Sequence, residues 1–169
     1  KQAQHLRIDL GVLPGEEHFR PDDLHQIGQC LGLEQHRAQL SETHFPFLAE
    51  KGHVISLVGG GGKTTLLYAM ASHCVQKGWR VLVSTTTHIL RPENWLWAKT
   101  DAEIQELWAR SSYAVVGSPA PKGKLTAPPE ADLAHWMAQA DAVFLEADGA
   151  KHFPCKAPAE QEPVLLPQS

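Results

Sequence analysis

A chain of 169 residues, 43% hydrophobic and 20% charged, is long enough to bury a core and reads as a soluble globular domain of ordinary size. Its formal net charge of -4 excludes a general attraction to nucleic acid or to an anionic membrane, so neither is expected as a partner. No apolar run approaches the roughly 20 residues that cross a bilayer. The N-terminus also lacks a charged-then-apolar signal pattern, so a cytoplasmic location is expected. The three cysteines, Cys30, Cys74 and Cys155, are far apart and odd in number. Reduced thiols are expected, not a disulfide framework or a Cys-x-x-Cys metal site.

Residues 6–12 alternate apolar and polar side chains, which predicts a short half-buried strand ended by Pro14-Gly15. Asp22 or Asp23 then caps a predicted helix with Leu24, Ile27 and Leu31 on one face. This part, residues 1–45, reads as an appendage to a nucleotide-binding domain spanning 46–169. After a stretch of little periodicity, Val54-Ile55-Ser56-Leu57-Val58 forms a buried-strand run that leads into Gly59-Gly60-Gly61-Gly62-Lys63-Thr64-Thr65. A helix follows, carrying Leu66, Leu67, Met70, Cys74 and Val75 at helical spacing and stopping at Gly78.

Arg80 to Ser84 reads as a second buried strand, ending in Thr85-Thr86-Thr87-His88. A helical region is predicted from about Glu93 to Arg110, then an apolar run from Tyr113 to Gly117. The segment from Gly117 to Pro129 is rich in Pro, Gly and Lys and predicts a long loop. A helix with Leu133, Trp136, Met137 and Ala140 precedes the run Ala142-Val143-Phe144-Leu145, which ends in Glu146-Ala147-Asp148-Gly149. The five tryptophans are expected in the core or at interfaces. Strands alternating with helices predict an α/β fold, a three-layer, mainly parallel sheet of P-loop NTPase type with helices on both faces. The chain starts at Lys1 and stops at Ser169 in a proline-rich stretch, so both ends read as breaks in something longer, and the domain is expected to be incomplete at its C-terminus.

In such a sheet the carboxyl ends of the strands form the ligand crevice. The glycine loop, the Thr85 to His88 cluster, and Glu146 with Asp148 all fall on that edge. Glycines let successive N–H groups face a phosphate chain, and the next helix turns its positive dipole end to the same charge. Gly59, Gly60, Gly61 and Gly62 are thus the expected phosphate cradle for ATP or GTP. Lys63 would reach the β/γ-phosphates, Thr64 would hold Mg²⁺, and Thr65 would sit near the α-phosphate. Residues two apart on a strand point the same way, so Glu146 and Asp148 can both face the loop. Asp148 is the first choice as metal ligand and Glu146 as the group that orients water or adds a second metal contact, with the reverse assignment also open. Thr86 and its neighbours suit a phosphate oxygen or metal-bound water, or equally a strand end and helix cap. Lys151, followed by Lys156, suits further anionic groups, or solvent.

The usual spacing G-x-x-x-x-G-K-[ST] needs a glycine where this chain has Leu57. The shorter G-x-x-G-K-T-T form resembles the loop of the Mur-ligase and folylpolyglutamate-synthase group, and also the core of the MinD-like ATPase loop, whose additional lysine is replaced here by Val58. Three separated motifs occur in order: the strand and loop from Val54 to Thr65, the strand and cluster from Arg80 to His88, and Leu145-Glu146-Ala147-Asp148-Gly149-Ala150-Lys151 with Lys156-Ala157-Pro158 and Glu162-Pro163-Val164. Together they resemble the selenium-dependent hydroxylase accessory proteins (YqeC-like), over about residues 52–166. That resemblance implies a P-loop-type protein that serves maturation of a selenium-dependent molybdenum hydroxylase, with that enzyme or its maturation factors as partner. The leading expectation is Mg²⁺-dependent binding and hydrolysis of ATP or GTP, with Lys63, Glu146 and Asp148 as catalytic residues. An ATP-dependent small-molecule ligase or kinase, or a truncated fragment that binds without hydrolysis, are the alternatives.

Overall fold

The structure, a computed structural model, describes residues 42–60, 62–92, 96–148 and 163–167. The strand and helix predicted within residues 6–32, together with Cys30, Gly61, Trp95, Lys151 and Cys155, lie outside these residues. A 3₁₀ turn, Pro46–Leu48, leads into β1, His53–Leu57. The glycine loop follows, then α1, Lys63–Gln76. β2 is Val81–Thr85, β3 His88–Leu90 and β4 Trp97–Ala98. α2 spans Asp101–Ser111, β5 Tyr113–Val116, β6 Ser118–Ala120 and β7 Lys124–Thr126. α3, Glu130–Gln139, precedes β8, Ala142–Glu146.

The main sheet has five strands in the order β1-β8-β2-β5-β4, all parallel. Alternation along its strands builds two cores. Val81, Val83, Tyr113, Val115, Ala142 and Phe144 point to one face and pack with Leu67, Met70, Ala71 and Cys74 of α1. Leu82, Ala114, Val116, Val143 and Leu145 point to the other and pack with Ile104, Leu107 and Trp108 of α2 and Leu133 and Trp136 of α3. Strands covered on both faces read as continuous apolar runs, which is why β2, β5 and β8 stand out in the sequence. Full burial of each such side chain contributes roughly 1.5–3 kcal/mol.

The helix ends follow local chemistry. Trp79 N–H donates to Cys74 O at 3.2 Å and Gly78 N–H to Val75 O at 2.8 Å, the paired bonds of a Schellman motif, with Gly78 at φ 73°. At the start of α2, the Thr100 hydroxyl accepts from Glu103 N–H while the Glu103 carboxylate accepts from Thr100 N–H. This capping box places the helix start at Asp101, later than the predicted start at Glu93. Trp97 and Ala98, expected in that helix, instead pair with Val115 and Val116 as a short edge strand.

The predicted loop from Gly117 to Pro129 is also corrected. Its residues form β6 and β7, which join β3 in a second, antiparallel sheet of order β3-β7-β6. Pro119 is compatible with this because β6 is an edge strand, where a missing N–H breaks no ladder. Ile89 and Leu125 anchor this small sheet in the same core as α1. Trp79, Trp108 and Trp136 are buried, in line with their expected core role.

Two substitutions test the helix ends. Thr100→Ala is expected to lower unfolding free energy by about 1 kcal/mol through loss of the cap. Gly78→Ala, which meets no atom within 4 Å, is expected to cost about 1 kcal/mol from backbone conformation alone. Urea denaturation midpoints at an unchanged slope read both.

Candidate functional site

β1 and β8 are neighbours in register, with Leu57 opposite Glu146. The loop that leaves β1 therefore rises beside the two acids that end β8, about 4.8 Å away across the ladder. Ala147 N–H donates to Leu57 O at 3.0 Å, and Gly59 N–H donates to Asp148 Oδ2 at 2.8 Å. Gly62, at φ 79°, turns the chain into α1 as its N-cap, without a side-chain cap bond and with no acid in the first turn. The positive end of a 14-residue helix thus meets the carboxylates of another strand and none of its own.

Lys63 is buried and folds back over the loop. Its Nζ donates to Gly59 O and Gly60 O, both at 2.8 Å, and lies 2.9 Å from Asp148 Oδ1. That ion pair leaves Asp148 Oδ1 without a well-directed hydrogen bond among the described residues. Next to it, the Thr64 hydroxyl donates to Glu146 Oε2 at 2.8 Å. Lys63, Thr64, Glu146 and Asp148 are therefore brought together with Gly59, Gly60 and Gly62, and the pairing is Thr64 with Glu146 and Lys63 with Asp148. Thr65 occupies the first turn of α1, half-buried.

The threonine cluster takes other contacts. Thr85 Oγ1 donates to Glu146 O at 2.8 Å and Thr86 N–H to the same oxygen at 3.0 Å, so the end of β2 fixes the backbone of Glu146. The Thr86 hydroxyl donates to Val164 O at 2.6 Å. Thr87 Oγ1 is buried without a hydrogen bond among the described residues. His88 is exposed in β3, opposite Thr126 of the second sheet. Cys74 is buried, and burial pushes its thiol up to about 11, so it is not a thiolate at neutral pH.

Burial raises the Glu146 carboxyl above its ordinary value. The Thr64 hydrogen bond and Lys63 pull it down, Asp148 pushes it up, and Lys124 of β7 also pulls it down. Thr85, placed on this edge from sequence, makes a contact of a kind not expected there, and Lys124 escaped the sequence reading. Thr85 acts through its hydroxyl on a backbone carbonyl, a role that residue type alone does not signal. Lys124 lay in the supposed loop, although Lys124-Leu125-Thr126 after Gly123 has the alternation of a strand.

The raised value sets a pH dependence. The native state binds the Glu146 proton more tightly than the unfolded chain, so stability is present below the ordinary value of 4.5 and falls as pH rises through the folded value. Glu146→Gln is therefore expected to be more stable than the parent near pH 7, with the difference shrinking towards pH 4. Denaturation across that range checks it; a constant difference would contradict it.

Among the described residues no helix is long and apolar enough to cross a membrane, and no group of three or more His, Cys, Asp or Glu side chains forms a metal site. No solved structure gives a significant match. A YqeC protein of Escherichia coli (strain K12) is 37% identical over 119 residues. The alignment covers 66% of this chain and 46% of the relative, so the chain spans about half the length of the curated protein it matches. The YqeC protein family model matches residues 55–169, from within β1 through the glycine loop, Glu146 at the end of β8 and Asp148 just after it, and on that match the chain belongs to the YqeC family.

Proposed function

We propose that this chain binds a nucleoside triphosphate with Mg²⁺ at the glycine loop and hydrolyses it, within a P-loop NTPase-like fold. The observation that carries this reading is the meeting of the loop with two acids from the adjacent strand, through Lys63 with Asp148 and Thr64 with Glu146. Each part matches a requirement of phosphoryl transfer, which needs a cradle, a cation for the phosphates and a metal position.

The donor set fits Mg²⁺. A hydroxyl and a buried carboxylate offer hard oxygen ligands 2.8 Å from each other. Mg²⁺ is commonly held by one or two such groups together with phosphate oxygens and water, without a full protein cage. Thr64 and Glu146 would hold it, the reverse of the first assignment from sequence, and the bound ion would neutralise charge on the phosphates. Asp148 then holds Lys63 and the Gly59 N–H in place until a phosphate takes over the ammonium. In this reading Lys63 binds and orients the phosphates, and Asp148 is left near enough to orient a water molecule. The client that the sequence resemblance implies is a selenium-dependent molybdenum hydroxylase, served as an accessory factor.

Titration of ATP and GTP into the protein, with and without Mg²⁺, tests this. Binding of one of them is expected, weakened about 10- to 100-fold by Lys63→Ala, with the Mg²⁺ dependence reduced by Thr64→Ala. Absence of binding by both nucleotides, or an unchanged affinity in Lys63→Ala, would overturn it.

A further inference from the structure

The two outer edges of the small antiparallel sheet differ. β7 is its central strand, between β3 and β6. Arg91 N–H donates to Gly123 O at 2.9 Å and the Thr126 hydroxyl to Thr87 O at 2.9 Å, so residues 87, 89 and 91 turn their backbone groups towards β7. His88 and Leu90 turn theirs the other way, where no described strand pairs with them. On β7 the same alternation sets Lys124 and Thr126 against Ala120 and Ser118, which leaves the backbone of Pro119 facing outward. A proline there has no N–H to offer, and this closes the β6 edge to a further strand. β3 carries no such guard at its outward positions.

The side chains agree with this reading. Ile89 and Leu125 point into the core, and a Cβ on Gly117 would lie 2.9 Å from Leu125 Cβ, so the sheet is fixed closely on the end of β5. Its other face is turned away from that core, with the cross-strand rows His88-Thr126-Ser118 and Leu90-Lys124-Ala120. Leu90 is 61% exposed, the highest value for a large apolar side chain among the described residues. At a free edge it offers an added strand a cross-strand apolar neighbour.

Charge indicates what that strand would carry. Residues 86–92 and 117–129 hold His88, Arg91, Lys122 and Lys124 and no acid, in a chain whose net charge is -4. Arg91, Lys122 and Lys124 enter no ion pair among the described residues. Pairing of β3 with β3 of a second copy would bring these cations against their own kind, which disfavours it. An acidic segment complements them instead. Because side chains alternate along a strand, a segment with acid and leucine at successive outward positions would set them against His88 and Leu90.

We propose that the free edge of β3 is a docking site for an extended acidic segment of a partner protein, which pairs with it as an added strand. This goes beyond the nucleotide reading and does not rest on it. The test adds the acetylated and amidated peptide Glu-Thr-Leu-Thr-Glu-Thr-Leu-Thr-Glu, or its counterpart with lysine for glutamate, to the full chain at up to about 1 mM, the range of a marginal contact. The acidic peptide is expected to bind about tenfold more tightly than the basic one and to slow hydrogen exchange at the amides of His88 and Leu90. Leu90→Pro gives β3 the device that already closes β6 and is expected to weaken the acidic peptide about tenfold, through loss of an outward donor. Lys124→Glu is expected to remove most of the preference for the acidic peptide, and it reads the charge alone should the proline variant melt early. Absence of binding, equal binding of the two peptides, or binding that leaves the His88 and Leu90 amides unprotected would overturn the proposal. So would dimerisation that protects those amides, which assigns the edge to a second copy, or stronger protection by a uridine oligonucleotide, which assigns the patch to nucleic acid.

Discussion

The in-register pairing of β1 with β8 is the constraint on which the site depends. The glycine loop with Lys63 is distant in sequence from the two acids, and the ladder that sets Leu57 opposite Glu146 brings them within hydrogen-bond distance. A slip of one residue would turn Glu146 and Asp148 to the opposite face and also exchange the two cores, because Val143 and Phe144 serve different sides of the sheet. The hydrophobic alternation that stabilises the fold is therefore the same feature that aligns the polar groups. β2 adds to this from the other side, where Thr85 and Thr86 hold the carbonyl of Glu146.

The polar centre works against the stability that surrounds it. Lys63, Glu146 and Asp148 are 4%, 8% and 5% exposed, and removing such charges from water is costly even when they are paired. The loop carbonyls and the Gly59 amide offset part of that cost by accepting from Lys63 and donating to Asp148. Local energetics that run against the fold are expected at functional sites, where geometry is retained for a ligand. The YqeC family match spans this whole constellation, from β1 to beyond Asp148.

Legibility in the sequence followed burial. β2, β5 and β8, covered on both faces, were visible as unbroken apolar runs, and α1 as a periodic stripe ended by Gly78. The loop and both acids were found because strand ends mark the carboxyl edge, but which acid meets which partner was not readable, since it depends on side-chain geometry across the ladder. β4, β6 and β7 were missed because they are two or three residues long and include Pro119, Trp97 and small residues whose strand character comes from a neighbour. The start of α2 lies at Asp101 and not near Glu93 because the capping box of Thr100 and Glu103 ends the extended chain there.

β8 comes after the other described strands in the chain yet lies between β1 and β2 in the sheet. During synthesis β2, β5 and β4 can pair as they emerge, whereas β1 and the glycine loop must wait, because among the described residues β1 has β8 as its one strand partner. The central gap closes only when residues 142–146 arrive, and such long-range parallel pairing is intrinsically slow. The strand that leads to the two acids is thus also the piece that joins β1 to β2, so a chain that has not yet linked its loop strand to the other described strands also lacks the carboxylates of the site.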